Sequence, residues 1–239
     1  MRIVAILTLG ILMGCSSSNK TLDIKDLAGD WVNTKYLKSV QKTKSARISQ
    51  YACEYSYITV KSDTALFILS FHEGMDLKII PNKMNSFYCI GYNNDTIKLI
   101  VSNDTMIVNH TANQDTFLKY PMQFPNESLT NRLLTKEIFS GDYVNVDSAN
   151  HILSFKDDGL VNGFLNYSSY FVQDDYVDAG CNLDILYLRN MPDDRFEYTW
   201  TYLNDTLIIY KLDCQEFDTI SKRCVITKKG KLIYRLVKK

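Results

Sequence analysis

The feature that most restricts the fold of this 239-residue chain is a repeat. Leu27-Ala28-Gly29-Asp30-Trp31-Val32-Asn33 returns as Phe139-Ser140-Gly141-Asp142-Tyr143-Val144-Asn145, 112 positions on. Tyr88-x3-Tyr92-x-Asn94-Asp95-Thr96-Ile97 returns as Tyr198-x3-Tyr202-x-Asn204-Asp205-Thr206-Leu207, 110 positions on. Two nearly equal offsets point to a duplicated unit of roughly 100 residues. A looser echo aligns Tyr57-Ile58-Thr59-Val60-Lys61 with Ile152-Leu153-Ser154-Phe155-Lys156 and requires compensating changes in loop length. Asn-Asp-Thr also occurs at Asn103, so a single β domain with recurrent turn chemistry stays open.

The units themselves read as strands. Phe196, Tyr198, Trp200 and Tyr202 alternate with polar residues, the period-two pattern of a half-buried strand, and Tyr51, Cys53, Tyr55 and Tyr57 alternate likewise. Asn-Asp-Thr and Lys229-Gly230 punctuate the runs as turns, because Asn, Asp and Gly tolerate left-handed backbone. About eight strands fit each unit, in the first near positions 30, 55, 67, 78, 90, 99, 107 and 118, with a short helix within 35–49. Pro121 and Pro125 mark a break, and Leu129, Leu133 and Leu134 give 128–138 a helical face leading into the second Gly-Asp-Tyr. A shorter lead-in, 22–27, precedes the first. The expected fold is all-β: two tandem small antiparallel barrels, each after a short helix, since closure hides the edges of a small sheet. The expected boundaries are 22–121 for barrel one, 122–138 for the linker and 139–239 for barrel two.

The N-terminus reads as an address. Met1-Arg2 leads an apolar run, 3–13, far shorter than the roughly 20 residues that span a bilayer. Leu12-Met13-Gly14-Cys15 resembles the lipobox of bacterial lipoproteins. That resemblance implies removal of a signal peptide, 1–14, with cleavage after Gly14, lipidation of the Cys15 thiol and a polar tether over 15–21. A soluble-secretion signal or a buried N-terminal strand is the plainer reading of the same residues. The resemblance implies a lipid-anchored protein of the bacterial envelope. Surface-exported lipoproteins of the Bacteroidetes tend to carry acids just after the Cys; here the first is Asp23, which favours the periplasmic face of the outer membrane.

Gly29-Asp30-Trp31 after a short helix resembles the Gly-x-Trp signature of lipocalins and related calycins, and the whole chain resembles the lipocalin-like lipoproteins of the Bacteroidetes. In that superfamily the Trp closes one barrel end under a cation from the last strand. The resemblance therefore implies Lys119 over Trp31 and Arg235 over Tyr143, each cation–π contact worth about 0.5–2 kcal/mol. Both units are short for a lipocalin, and the second has Tyr in place of Trp, so the interiors could be filled by their own side chains.

No catalytic residues, cofactor or metal ligands are assigned. Lys+Arg and Asp+Glu are both 27, which leaves no electrostatic footprint for nucleic acid. His72, His110 and His151 stand apart, and no nucleophile-elbow, zinc or phosphate-loop motif occurs. Asp174, Asp175, Asp178, Asn182 and Asp184 lack the spacing of a calcium loop and read as a solvated segment. Tyr167, Tyr170, Phe171 and Tyr176 fit either core packing or stacking on a glycan.

Besides Cys15 there are five cysteines. Cys214 and Cys224 flank an extra loop, and a bridge between them closes it with about 2.5–3 kcal/mol in the chain-entropy model. Five is odd, so at least one thiol stays free or pairs between chains, and strand parity disfavours a 53–89 bridge. Asp-Ser/Thr-apolar triplets at Thr64, Thr96, Thr105, Ser148, Thr206 and Thr219 resemble Bacteroidetes O-glycosylation sites, or simply turns entering strands. The function expected is that of a non-enzymatic, membrane-anchored envelope lipoprotein binding a small apolar ligand or a protein partner. The alternatives are an interaction protein with filled barrels or a glycan-binding module.

Overall fold

The structure, a computed structural model, describes residues 22–69, 73–83, 85–90, 96–110, 113–121, 129–176, 181–190, 196–220 and 223–239. The signal peptide, Gly14 and Cys15 lie outside the described residues, as do His72 and Asp178. Among the described residues no helix is long and apolar enough to cross a membrane.

The first unit opens with α1 (Ile24–Leu27) and β1 (Gly29–Asn33), then two helices, α2 (Thr34–Thr43) and α3 (Ala46–Ser49). Seven strands follow: β2 (Tyr55–Val60), β3 (Thr64–Leu69), β4 (Glu73–Pro81), β5 (Ser86–Ile90), β6 (Thr96–Ser102), β7 (Thr105–His110) and β8 (Asn113–Tyr120). Each is antiparallel to its neighbours, and β8 returns to β1 through pairs such as Trp31↔Lys119, giving a closed eight-stranded barrel. Alternation drives closure, because every second side chain turns inward: Ala65 and Phe67, Leu77 and Ile79, Phe87 and Cys89, Leu99 and Val101, Met106 and Val108 are all buried in one core. The expected Tyr51-to-Tyr57 strand face differs. Tyr51 lies in an exposed turn, and a bulge between Tyr55 and Tyr57 reverses parity, so Tyr55 enters the barrel core while Tyr57 packs against the core that α2 and α3 share with the second unit.

The second unit runs from α4 (Leu129–Leu134), continued by a π turn over Thr135–Phe139, into β9 (Gly141–Asn145) and β10 (Ser148–Phe155). Then come β11 (Val161–Asn162), β12 (Ser169–Val172), β13 (Leu186–Arg189), β14 (Phe196–Leu203), β15 (Thr206–Asp218) and β16 (Arg223–Lys238). These form an eight-stranded sheet in the order β11-β10-β9-β16-β15-β14-β13-β12, which is not a closed barrel. The expectation of two closed barrels is corrected here. The sheet is open where the first unit has the β3–β4 ladder, from Thr64↔Lys78 to Leu69↔Glu73; the second has a single bridge, Leu160↔Ser169. Gly159 (φ 79°), Gly163 (φ 78°) and Leu165 (φ 47°) hold left-handed backbone around β11 and cut that strand to two residues.

The two units nevertheless share a start. Gly29 and Gly141 take φ of 123° and 136°, a conformation for glycine alone. Trp31 Nε1 donates to the Leu27 carbonyl at 2.9 Å, and Tyr143 OH donates to the Phe139 carbonyl at 2.7 Å, each reaching four residues back to the lead-in helix. Asn33 Oδ1 accepts from Lys35 N–H and Asn145 Oδ1 from Asp147 N–H, so each Asn turns the chain after the strand. The 57–61 and 152–156 echo also lies at matching register, Trp31↔Ile58 and Tyr143↔Leu153. The Tyr88/Tyr198 echo does not. By strand order the partner of the Asn204 turn, β14 to β15, is the Asn103 turn, β6 to β7, and both asparagines take φ of 51°.

Packing crosses the 122–138 segment. Val32, Tyr36, Val40 and Ala46, from β1, α2 and α3, share one core with the second unit's Phe139, Phe155, Phe164 and Trp200. The helices inserted between β1 and β2 therefore cover the second sheet, and the linker does not divide two independent cores.

Candidate functional site

The two closure positions are built from the same parts. Lys119 Nζ lies 5.4 Å from the Trp31 ring centroid and donates to the Asp26 carbonyl at 3.1 Å, capping α1. In the second unit the structure places Lys238, not Arg235, at the corresponding position. Lys238 pairs across from Tyr143, its Nζ donates to the Ser140 carbonyl at 2.7 Å, and its stem covers Gly141 as Lys119 covers Gly29. Arg235 lies three residues earlier, exposed and ion-paired with Asp147. The physical reason for the correction is register: β16 reaches β9 only with Leu236, Val237 and Lys238.

The joint between the units is polar and buried. Arg132 Nη2 donates to Asp30 Oδ2 at 3.1 Å, both side chains buried, and Thr59 Oγ1 completes the carboxylate at 2.8 Å. Asp184 caps α3 from the second unit, accepting from Ser45 Oγ at 2.6 Å and Arg47 N–H at 2.9 Å. Burial pushes the Asp184 carboxyl up, and those hydrogen bonds only partly oppose it. Trp200 Nε1 donates to the Lys44 carbonyl at 2.8 Å, where Lys44 ends α2 in left-handed backbone.

His110, isolated in sequence, is buried between Asp115 (3.3 Å) and Glu54 (3.4 Å), and Lys35 Nζ reaches Asp115 at 2.6 Å. Burial would raise the Asp115 carboxyl, but Lys35 and His110 outweigh it and hold the carboxyl below its usual range. Cys53 is nearby, yet burial pushes its thiol up to about 12, so it stays protonated and is a poor nucleophile. The cluster orders polar groups where α2 meets the barrel end. Nothing in it provides an activated nucleophile.

Cys214 and Cys224 are disulfide-bonded, and Cys53, Cys89 and Cys181 are free. Asn182 accepts from Thr227 Oγ1 at 2.8 Å and Asp184 is the α3 cap, so these two members of the acidic segment are engaged in separate contacts. Among the described residues no group of three His, Cys, Asp or Glu side chains could hold a metal ion. Tyr170 and Tyr176 are core side chains, Tyr167 packs on Phe164, and Phe171 stacks on Tyr187 at 4.4 Å. Thr64, Thr96, Thr105, Ser148 and Thr206 each open a strand, the place a turn motif would put them.

Two further features stand apart from these candidates. The β15–β16 hairpin outruns its neighbours: β14 pairs only as far as Lys211, while β15 and β16 continue together to Asp218↔Arg223. This arm carries the disulfide and ends at Phe217 and Ile220, the latter 93% exposed. The second feature is a cleft of about 630 Å³ where α2, the π turn, β9, the β14–β15 turn and β16 meet, lined by Lys42, Lys44, Glu137, Tyr143, Tyr202 and Lys238 among others. Length excess on a hairpin was visible around the cysteines; convergence of lysines from three distant segments was not. No family model, curated protein or solved structure matches the chain.

Proposed function

We propose that this chain is a lipid-anchored lipoprotein of the bacterial envelope, of lipocalin-like ancestry, that works by docking a protein partner on its outside. In this reading Cys15 carries the lipid, the protein sits on the periplasmic face of the outer membrane, and its role is non-enzymatic. The second unit is an opened form of the first barrel. The observation that carries the docking reading is the filled interior: Trp31, Phe67, Phe87 and Phe117 occupy the first unit and Tyr143, Phe155 and Phe164 the second, all buried. Side chains that fill the space displace the small apolar ligand that a larger barrel would enclose. The arm supports a protein rather than a lipid as partner. Beyond Lys211 its strands pair, among the described residues, only with each other, with Thr227 N–H held by Asn182 Oδ1, and the remaining outward backbone N–H and C=O groups find partners in another strand but not in acyl chains.

The test uses the full chain in a bacterium that processes lipoproteins. Cys15→Ala is expected to move the protein from the membrane to the soluble fraction. A photo-crosslinker at position 220 is expected to give one discrete adduct, abolished by Phe217→Asp. An apolar compound co-purifying at one per chain, or a crosslinked dimer of the chain itself, would overturn the reading.

A further inference from the structure

We propose that the cleft between the two units is a binding site for a small, multiply charged anion of the phosphate type. Four cations line it: Lys42 and Lys44 at the end of α2, Lys136 in the π turn and Lys238 on β16. Two carboxylates, Glu137 and Asp205, oppose them, so the lining is net positive. The inner pair sets the character of the site. Lys44 Nζ donates to the Glu137 carbonyl at 2.6 Å and Lys238 Nζ to the Ser140 carbonyl at 2.7 Å. Both ammonium groups are thus fixed by neutral backbone oxygens, and among the described residues neither has a carboxylate partner within 4 Å. A carbonyl orients a cation without cancelling its charge, and each ammonium keeps further N–H donors for a ligand. The two also act on each other: burial, joined by Lys238, pushes the Lys44 ammonium down, with Glu137 opposing. An anion seated between them removes that repulsion, which is the electrostatic reason to expect one.

The rest of the lining is polar and held in place. The Tyr143 and Tyr202 hydroxyls stand 3.4 Å apart, each with a backbone carbonyl to accept its proton, Phe139 at 2.7 Å and Ile138 at 2.6 Å. With their hydrogens so placed, the two hydroxyls offer no donor to an anion, and its contacts fall to the lysines. Gln41 ties the Glu137 carboxylate at 3.0 Å and moderates one of the two opposing charges. The volume, about 630 Å³, lies within the range of small-molecule sites, about 300–1,000 Å³. The site exists only because α2 of the first unit lies against the start of the second, so it belongs to the assembled pair and to neither unit alone. It is independent of what the arm binds.

Inorganic pyrophosphate, titrated by calorimetry into the full chain carrying Cys15→Ser, is the direct test. Saturable binding of one per chain is expected, weakening as salt is raised. Lys44→Gln with Lys238→Gln is expected to weaken it at least tenfold. Because those lysines also cap the π turn, Lys42→Glu at the exposed rim provides a second variant that leaves the fold intact by circular dichroism and lowers affinity about threefold or more. Vesicles of phosphatidylglycerol distinguish the source of the phosphate. Displacement of vesicle-bound chain by pyrophosphate assigns a lipid headgroup; pyrophosphate binding without vesicle binding assigns a free ligand. No saturable binding at millimolar pyrophosphate, or binding that none of the variants changes, overturns the site.

Discussion

The two units begin with the same five-residue device and end as different objects. Glycine in left-handed backbone, an aromatic reaching back to its lead-in helix and an Asn that turns the chain are common to both. After that Asn the first unit inserts α2 and α3, while the second turns directly into β10. The first then completes a β3–β4 ladder and closes; the second breaks its third strand with glycines and stays open. The differences are complementary. The helices that the first unit adds cover the core that the second unit's open sheet would otherwise leave incomplete, with Val40 and Ala46 packed among its aromatics. Closure is thus a property of one unit, and burial of the other is supplied from outside it.

Breaking either end of this arrangement should be costly. Trp31→Ala removes the largest buried side chain of the closed barrel and is expected to destabilise by about 3–5 kcal/mol in denaturant unfolding. Tyr143→Phe, which deletes only a hydroxyl at the matching position, is expected to cost about 1–1.5 kcal/mol. Arg132→Ala tests the joint: it strands the buried Asp30 carboxylate and is expected to cost about 3–5 kcal/mol. Asp30→Asn with Arg132→Met should recover most of that loss. If it does not, the pair holds the units together by more than avoidance of an unpaired charge.

Acid should separate two carboxylates on the helices' two flanks. Asp115 is held below its ordinary range, so its contribution is present above the unfolded carboxylate value and fades as pH falls through the folded one. Asp184 is held above, so its contribution is present at low pH and is lost as pH rises through its folded value. Stability measured from acid to neutral pH should therefore change slope in opposite senses for Asp115→Asn and Asp184→Asn. Parallel changes would refute the assignment.

Smaller effects sharpen the comparison of closure cations. Lys119→Met is expected to cost about 0.5–2 kcal/mol through its contact with Trp31. Arg235→Ala should leave the thermal midpoint unchanged, because its exposed pair with Asp147 touches neither plug nor core. Smallest globally is Cys214→Ser with Cys224→Ser. Beyond Lys211 the arm is tied to the rest of the second unit through Thr227 on Asn182, so loss of its staple should lower hydrogen-exchange protection around 214–224 while the rest of the chain unfolds as before.

Much of this was legible in the residues. Apolar runs between turn residues placed all eight strands of the first unit, while 35–49, expected to hold one short helix, carries α2 and α3. The Gly-Asp-aromatic-Val-Asn repeat marked both starts, and the spacing of Cys214 and Cys224 marked the arm. Parity reasoning failed at Tyr51–Tyr57, where a bulge reverses it, and offset reasoning failed at Tyr88, since a recurrent Asn-Asp-Thr turn can match the wrong hairpin. His110 could not be placed by spacing: its partners Glu54 and Asp115 come from different strand ends.

What the chain determined by itself was local: where strands alternate, where glycine and asparagine permit left-handed backbone, and which aromatic starts each unit. Those preferences act over a few residues and survive in any context. The tertiary structure decided whether each sheet closes, which lysine meets the second plug, and that α2 and α3 belong to the other unit's core. Such outcomes depend on register and on burial between segments more than 100 residues apart, as between Lys44 and Trp200. No local pattern encodes them, because their energy exists only once both partners have been brought out of water together.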